Sequence, residues 1–247
     1  MKTIVLLCCS DSNTIKSVET LDIQTGANQD LNGLVFLKDP DSSETGREIV
    51  FHGAEMMALS GVESFTFRKL AAKAGITEAT VYRYFSNKHQ LLLYLLNRYW
   101  NALEYKAMQE TVHINNPLER LHRLAELLTG PVIQAGQGNF ARHLYAIAMS
   151  ESVKVHLGTE TGLDWQKGML NGYARITGLV AETLRTAYPE YPYPQAWAAT
   201  FVDSAMQQQF LMRHLPELTE VGQSPVSLTK FLMSLIPNQA SLEHASR

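Results

Sequence analysis

Arg68, Lys69, Lys73, Arg83, Lys88 and Arg98 stand against Glu78 alone between residues 66 and 98, a local net charge of +5 in a chain whose total is −3. Residues 1–43 carry three basic side chains against six acidic ones, and residues 99–247 carry eleven against thirteen, so the positive charge is concentrated. A compact cationic block inside an acidic protein suits a polyanion. Catalysis would instead need a nucleophile beside a base, paired carboxylates, a phosphate-cradling loop or a metal cluster. None of these spacings stands out. The glycines at 136 and 138 lack the lysine and preceding strand of a phosphate loop, and the eight histidines show no ligand spacing. The expectation is a binding protein, not an enzyme, with no metal and no cofactor.

The block sits on a recognisable frame. The stretch from 67 to 85, FRKLAAKAGITEATVYRYF, reads as helix, glycine turn, helix, which is the layout of a helix-turn-helix. Thr66 can cap the first helix, which carries Phe67, Leu70, Ala71 and Ala74 on one face; Gly75 stops it. Thr77 can cap the second, expected to run to Phe85, with Glu78 in its first turn where a negative charge suits the helix dipole. Ala71, Ala74 and Ile76 permit close packing, and Val81 and Phe85 hold the second helix to the core. Glu78, Ala79, Tyr82 and Arg83 then share the outward face, where the major groove of a duplex admits one helix.

Upstream, Thr45 and Glu48 have capping-box spacing, and Ile49, Val50, Gly53, Ala54, Met57 and Ala58 form the apolar stripe of a helix ending near Gly61. A longer helix is expected from Ser86. The remainder is helical by period, with breaks at 116–117, 130–131, 136–138, 158–162, 188–194 and 222–225, giving about five further helices. The expected fold is all-α, with a three-helix DNA-binding domain over 44–92 and a second helical domain over 93–247. Residues 1–43 show no sustained period and read as a poorly ordered or loosely attached extension. With 45% apolar residues the chain can build a real core, and no apolar run approaches the roughly 20 residues of a membrane span. The only cysteines, Cys8 and Cys9, are adjacent and cannot build a disulfide framework, which fits a reducing cytoplasm.

From about Ile49 to Leu95 the sequence resembles the TetR family of bacterial transcriptional regulators. The match is carried by the helix ending in Gly61, by FTFRKLAAKAGITEATVYRYF, and by Ser86-Asn87-Lys88 ahead of a leucine-rich helix. The run Tyr82-Arg83-Tyr84-Phe85 followed by Lys88 is its most diagnostic part. The resemblance implies that Thr66, Thr77 and Thr80 meet phosphates from helix starts. It implies that Tyr82 and Tyr84 are a phosphate-binding aromatic pair and that Lys88 is a basic phosphate contact. Such contacts position a protein without reading sequence. Arg83 would read a base, best a guanine, and Glu78 would accept from a cytosine amine or serve the helix dipole. Ala79 stands where relatives often have glycine, which would hold the helix slightly farther from the groove.

The resemblance further implies a C-terminal domain for effector binding and dimerisation. In the helix from 195 to 215, Trp197, Phe201, Leu211 and Leu215 form one ridge and Ala198, Val202, Ala205 and Met212 another, more than one face needs. With Leu228, Phe231, Leu232 and Leu235 they would supply a homodimer contact, Phe201 and Phe231 included. Phe140, His143, Tyr145, Met149, Trp165, Met169 and Tyr173 lie where relatives line a pocket, and would favour an apolar or aromatic small-molecule effector. The expected function is a repressor that binds an inverted repeat in double-stranded DNA as a homodimer and is released by that effector. The alternative is a ligand-binding or interaction protein of the same fold that no longer reads DNA.

Overall fold

A computed structural model describes residues 35–130, 138–157, 163–222 and 224–236, with side chains between 153 and 170 left aside. Nine α-helices are found among the described residues: α1 (Glu44–Ser64), α2 (Phe67–Ala74), α3 (Glu78–Tyr82), α4 (Lys88–Thr111), α5 (Pro117–Thr129), α6 (Asn139–Leu157), α7 (Leu163–Ala187), α8 (Pro194–His214) and α9 (Pro225–Ser234). No described helix is long and apolar enough to cross a membrane. The described residues hold no group of three or more His, Cys, Asp or Glu placed to hold a metal ion.

Each short N-terminal helix begins on a side-chain cap. The cap of α1 is Ser43, accepting from the Gly46 N–H at 3.1 Å, so the helix starts before the expected Thr45. Its buried stripe is Gly46, Ile49, Val50, Gly53, Ala54 and Met57, and Gly61, at φ 76°, breaks the helical path near the expected end. α4 is capped by Asn87, one residue after the expected Ser86: Asn87 accepts from the Gln90 N–H at 3.0 Å while the Gln90 side chain accepts from the Ser86 N–H at 2.6 Å. This reciprocal pair satisfies two donors that a helix start leaves open.

α4 is the axle of the molecule. At 24 residues it is about 36 Å long. It touches α1 near its start and α5, α6 and α7 beyond, and it is buried almost all round from Gln90 to Asn97 and again at Tyr99, Trp100, Asn101 and Leu103. A helix enclosed on every side must be apolar on every side, hence its leucine run. α5 starts on Asn116 with Pro117 in its first turn and packs Leu121, Leu124, Ala125 and Leu128 inward against α7 and α9.

α8 turns Ala198, Phe201, Val202, Ala205, Met206 and Gln209 inward. Phe201 is fully buried and stacks on Trp197 at 4.7 Å, and Trp197 donates to the Leu235 carbonyl at 3.0 Å. Phe201 is therefore internal core that seats α8 on α9, not the contact between protomers expected from its ridge. Leu228 and Leu232 are likewise internal, and Phe231 is half-buried.

The segment 35–43 departs most from expectation. Its lack of period predicts a loose extension, yet Val35 and Phe36 are 1% exposed and Pro40 is buried. Phe36 meets the Tyr94 ring edge-on at 5.9 Å, and the Leu37 N–H donates to the Tyr84 carbonyl at 2.7 Å. The Asp41 carboxylate accepts from Arg98 at 2.7 and 2.9 Å and from the Tyr94 hydroxyl at 3.0 Å. A buried guanidinium requires such a partner. Gly46 lets this strap lie close: a Cβ there would fall 2.2 Å from the Pro40 carbonyl oxygen. Residues 1–34 lie outside the described residues.

Candidate nucleic-acid interface

α2 and α3 are held together by local chemistry. Thr66 caps α2, accepting from the Lys69 N–H at 3.3 Å. Gly75 ends it at φ 67°, a left-handed conformation that favours glycine. Thr77 caps α3, accepting from the Thr80 N–H at 3.2 Å, and the two threonine hydroxyls lie 2.9 Å apart. Val81 and Phe85 are fully buried; α3 packs on α2, and just past its end the Phe85 ring meets Tyr94 of α4 at 5.6 Å. α3 itself is shorter than expected, ending at Tyr82 with Arg83 as its C-cap.

The outward face carries the expected set. Glu78, Ala79, Tyr82 and Arg83 are all exposed, as are Thr66 and Thr77, while Thr80 is half-buried. Tyr82 is 48% exposed, with its ring braced edge-on against Phe67 at 5.1 Å. A braced ring presents its hydroxyl with little rotamer freedom left to lose.

Two expected contacts are placed differently. Tyr84 is 1% exposed, and its hydroxyl lies 2.7 Å from the Ser43 hydroxyl. The strap thus takes the phenol that was to pair with Tyr82 at a phosphate. Lys88 is half-buried, its ammonium donating to the Val62 carbonyl at 3.1 Å, where it caps the open carbonyl end of α1.

The cationic block is also thinner than its count. Arg98 is spent inside the molecule on Asp41, and Lys73 pairs with Glu55 at 2.7 Å, whose carboxyl that hydrogen bond holds below its ordinary pKa. Lys69 donates to the Ser64 carbonyl at 2.8 Å. Arg68 and Arg83 are exposed. Sequence reasoning missed one further cation: Lys38 on the strap is exposed, with its ammonium 3.4 Å from the Tyr84 hydroxyl and 5.1 Å from the ring centre. Burial raises the Tyr84 pKa, but Ser43, Lys38 and Arg83 outweigh it and leave the phenol below its ordinary value. The apolar triplet Val35-Phe36-Leu37 ahead of Asp39-Pro40 was the available signal for this docked segment.

The residues expected around an effector fall into two groups. Phe140 stacks on Phe51 at 6.1 Å with Arg98 at 5.9 Å from its ring, so it belongs to the joint between α1 and α6. Tyr145 donates to the Gln209 side chain, and the Tyr173 hydroxyl donates to Asp203 at 2.8 Å while its ring meets Trp100 at 5.3 Å. Met149 is buried, and the His143 Nδ1 is buried without a hydrogen-bond partner. Trp165 and Met169 lie outside the residues whose side chains are described. The sequence reading missed Tyr99 and Trp100, whose buried Oη and Nε1 also lack partners. An open groove of about 670 Å³ lies elsewhere, between the end of α8 and α9, and includes Gln208, Glu217, Thr219 and Lys230.

Comparison with known proteins agrees with this geometry. Residues 49–95 match the family model described as bacterial regulatory proteins, tetR family. The fold is similar to the crystal structure of a transcriptional regulator from Saccharomonospora viridis in complex with choline, at 20% identity and a TM-score of 0.59, covering 78% of this chain and 95% of that one. It is similar to AibR in complex with isovaleryl coenzyme A and operator DNA, at 18% identity and a TM-score of 0.57, covering 78% and 98%. FadR from Bacillus subtilis in complex with stearoyl-CoA aligns at 16% identity and a TM-score of 0.57, covering 77% and 97%. Among curated proteins no match is found. The capped helix-turn-helix of α2 and α3 thus lies inside the stretch that matches the tetR family of bacterial regulatory proteins.

Proposed function

We propose that this regulator is a repressor that binds an inverted repeat as a homodimer through α2 and α3 and is released by a small molecule held in its helical body. The observation that carries the reading is the exposed face Glu78, Ala79, Tyr82 and Arg83, on a helix fastened beneath by Val81 and Phe85. In this reading Arg83 makes the base contact, Glu78 and Ala79 border it, and Thr66, Thr77, Thr80, Tyr82 and Lys88 position the backbone. Tyr84 acts from beneath through the strap. The reading head spans residues 35–95, and the remainder is the effector and dimer body. The half-buried Leu211, Met212 and Phe231 on α8 and α9 support a second copy there.

The effector reading draws support from relatives described in complex with choline, isovaleryl coenzyme A and stearoyl-CoA. Within this chain it draws on the aromatic ring set Tyr99, Trp100, Tyr145 and Tyr173, which suits an apolar or aromatic ligand. Selection of purified protein against a random duplex library tests the DNA reading: an enriched inverted repeat is expected, and a single unrepeated site would remove the dimer. Against the selected sequence, Arg83→Ala should lose about 1–3 kcal/mol and relax preference at one base position. Equal losses across all base variants would remove Arg83 as a reader.

A further inference from the structure

We propose that the strap 35–43 is a working part of the reading head and that Lys38 on it contacts a DNA phosphate, an inference that rests on the DNA-binding reading above. The strap is fixed on both sides of Lys38. On one side the Leu37 N–H is bonded to the Tyr84 carbonyl at 2.7 Å. On the other, Pro40 is seated on the first turn of α1, Asp41 is clamped by Arg98 and Tyr94, and Ser43 caps α1 while bonding the Tyr84 hydroxyl.

Between these anchors only the side chains of Leu37 and Lys38 are exposed. The Lys38 ammonium reaches 3.4 Å from the Tyr84 hydroxyl, and Arg83 acts on the same phenol from the C-cap of α3. An ammonium therefore lies beside one buried ring at the trailing end of α3, where Arg83 is the C-cap. When the first residues of a recognition helix meet base edges, groups around its ends meet the phosphates. Among the described residues neither nearby acid forms an ion pair with Lys38: the Asp39 carboxylate accepts from the Asp41 N–H at 2.9 Å, and Asp41 is paired with Arg98 at 2.7 Å. The strap takes the Tyr84 hydroxyl out of the interface and sets an ammonium beside it, a group that holds phosphate as a point charge.

The test is a salt titration of binding to a short labelled duplex of scrambled sequence, followed by fluorescence anisotropy. Each phosphate contact contributes about 0.9 to the slope of log affinity against log salt. Lys38→Ala should lower that slope by about 0.9 per bound protomer, so its deficit against wild type shrinks about threefold between about 50 and 200 mM salt. Lys38→Arg should restore the slope. Lys230→Ala removes the same charge from α9 and should leave it unchanged. A wild-type slope in Lys38→Ala, or an equal drop in Lys230→Ala, overturns the role of Lys38 while leaving the DNA reading intact. Failure of the wild-type protein to bind the duplex at low salt overturns both. Thermal unfolding of each variant separates a lost contact from a lost strap, and a melting point for Lys38→Ala well below wild type with Lys38→Arg failing to restore binding also counts against the contact.

Discussion

The N-terminal head and the helical body both cap helix starts with side chains, but they differ in how fully they satisfy buried polar groups. In the head, hydroxyls and amides close helix ends: Ser43, Thr66, Thr77 and Asn87 each accept from a backbone N–H of the first turn. The buried Tyr84 and Tyr94 hydroxyls are both bonded. Beyond residue 98, the buried Tyr99 Oη, Trp100 Nε1, Arg120 Nε, His143 Nδ1 and Ser152 Oγ have no partner. A buried donor left unbonded costs free energy, whereas a satisfied one stabilises modestly. Among the described residues the buried phenols of the head are thus satisfied, while the body carries five buried polar atoms without a partner.

The largest perturbation should come from the apolar floor of the head. Phe85→Ala should cost about 3–5 kcal/mol in denaturant unfolding and abolish duplex binding, because Phe85 is fully buried beneath α3. Next comes the strap seat: Gly46→Ala should cost about 1–3 kcal/mol, since the added Cβ meets the Pro40 backbone oxygen and not a side chain that can swing away. If Gly46→Ala is neutral, the strap is not held where described.

The contrast itself is tested by removing one oxygen from each region. Thr66→Ala deletes a cap and should destabilise by about 1 kcal/mol. Tyr99→Phe deletes an unbonded hydroxyl whose pKa burial pushes well up, and should instead stabilise by about 1 kcal/mol. Equal losses in urea unfolding would break the comparison.

The smallest effect is on pH dependence. Burial lowers the His143 pKa, with Glu55 opposing and Lys73 assisting. The unfolded chain, with its imidazole near pKa 6.5, then binds the proton more readily than the folded one. Stability from this residue is full above about pH 6.5 and falls as the pH drops toward the folded value. His143→Gln should flatten that part of the stability profile; an unchanged slope would assign it to other groups.

The head was legible because its signals are local. Thr66, Gly75 and Thr77 mark helix boundaries within a few residues of the bonds they make, and Val81 and Phe85 follow one helical period. The resemblance named the outward face that the structure presents. The burial of Tyr84 was not legible because its partner, Ser43, is 41 residues away in a segment without periodicity. Phe201 was misjudged for a related reason: a surplus apolar ridge on α8 does not say whether α9 or a second protomer covers it, and the Trp197 bond to Leu235 settles that only in three dimensions. In the body, the unbonded Tyr99 and Trp100 sit in a leucine-rich run where aromatic residues read simply as core.

The strap also bears on the order in which the molecule assembles. Its ion pair joins Asp41 to Arg98 across 57 residues. At roughly 5–20 residues per second, a ribosome makes the anchor about 3–11 s after the strap. Contacts of such separation close late, after the local helices they join have formed. A nascent chain therefore holds the strap, α1, α2 and α3 before it holds the arginine that clamps Asp41. That clamp waits only on the first half of α4, so the helix that links the two regions also times when the strap is locked.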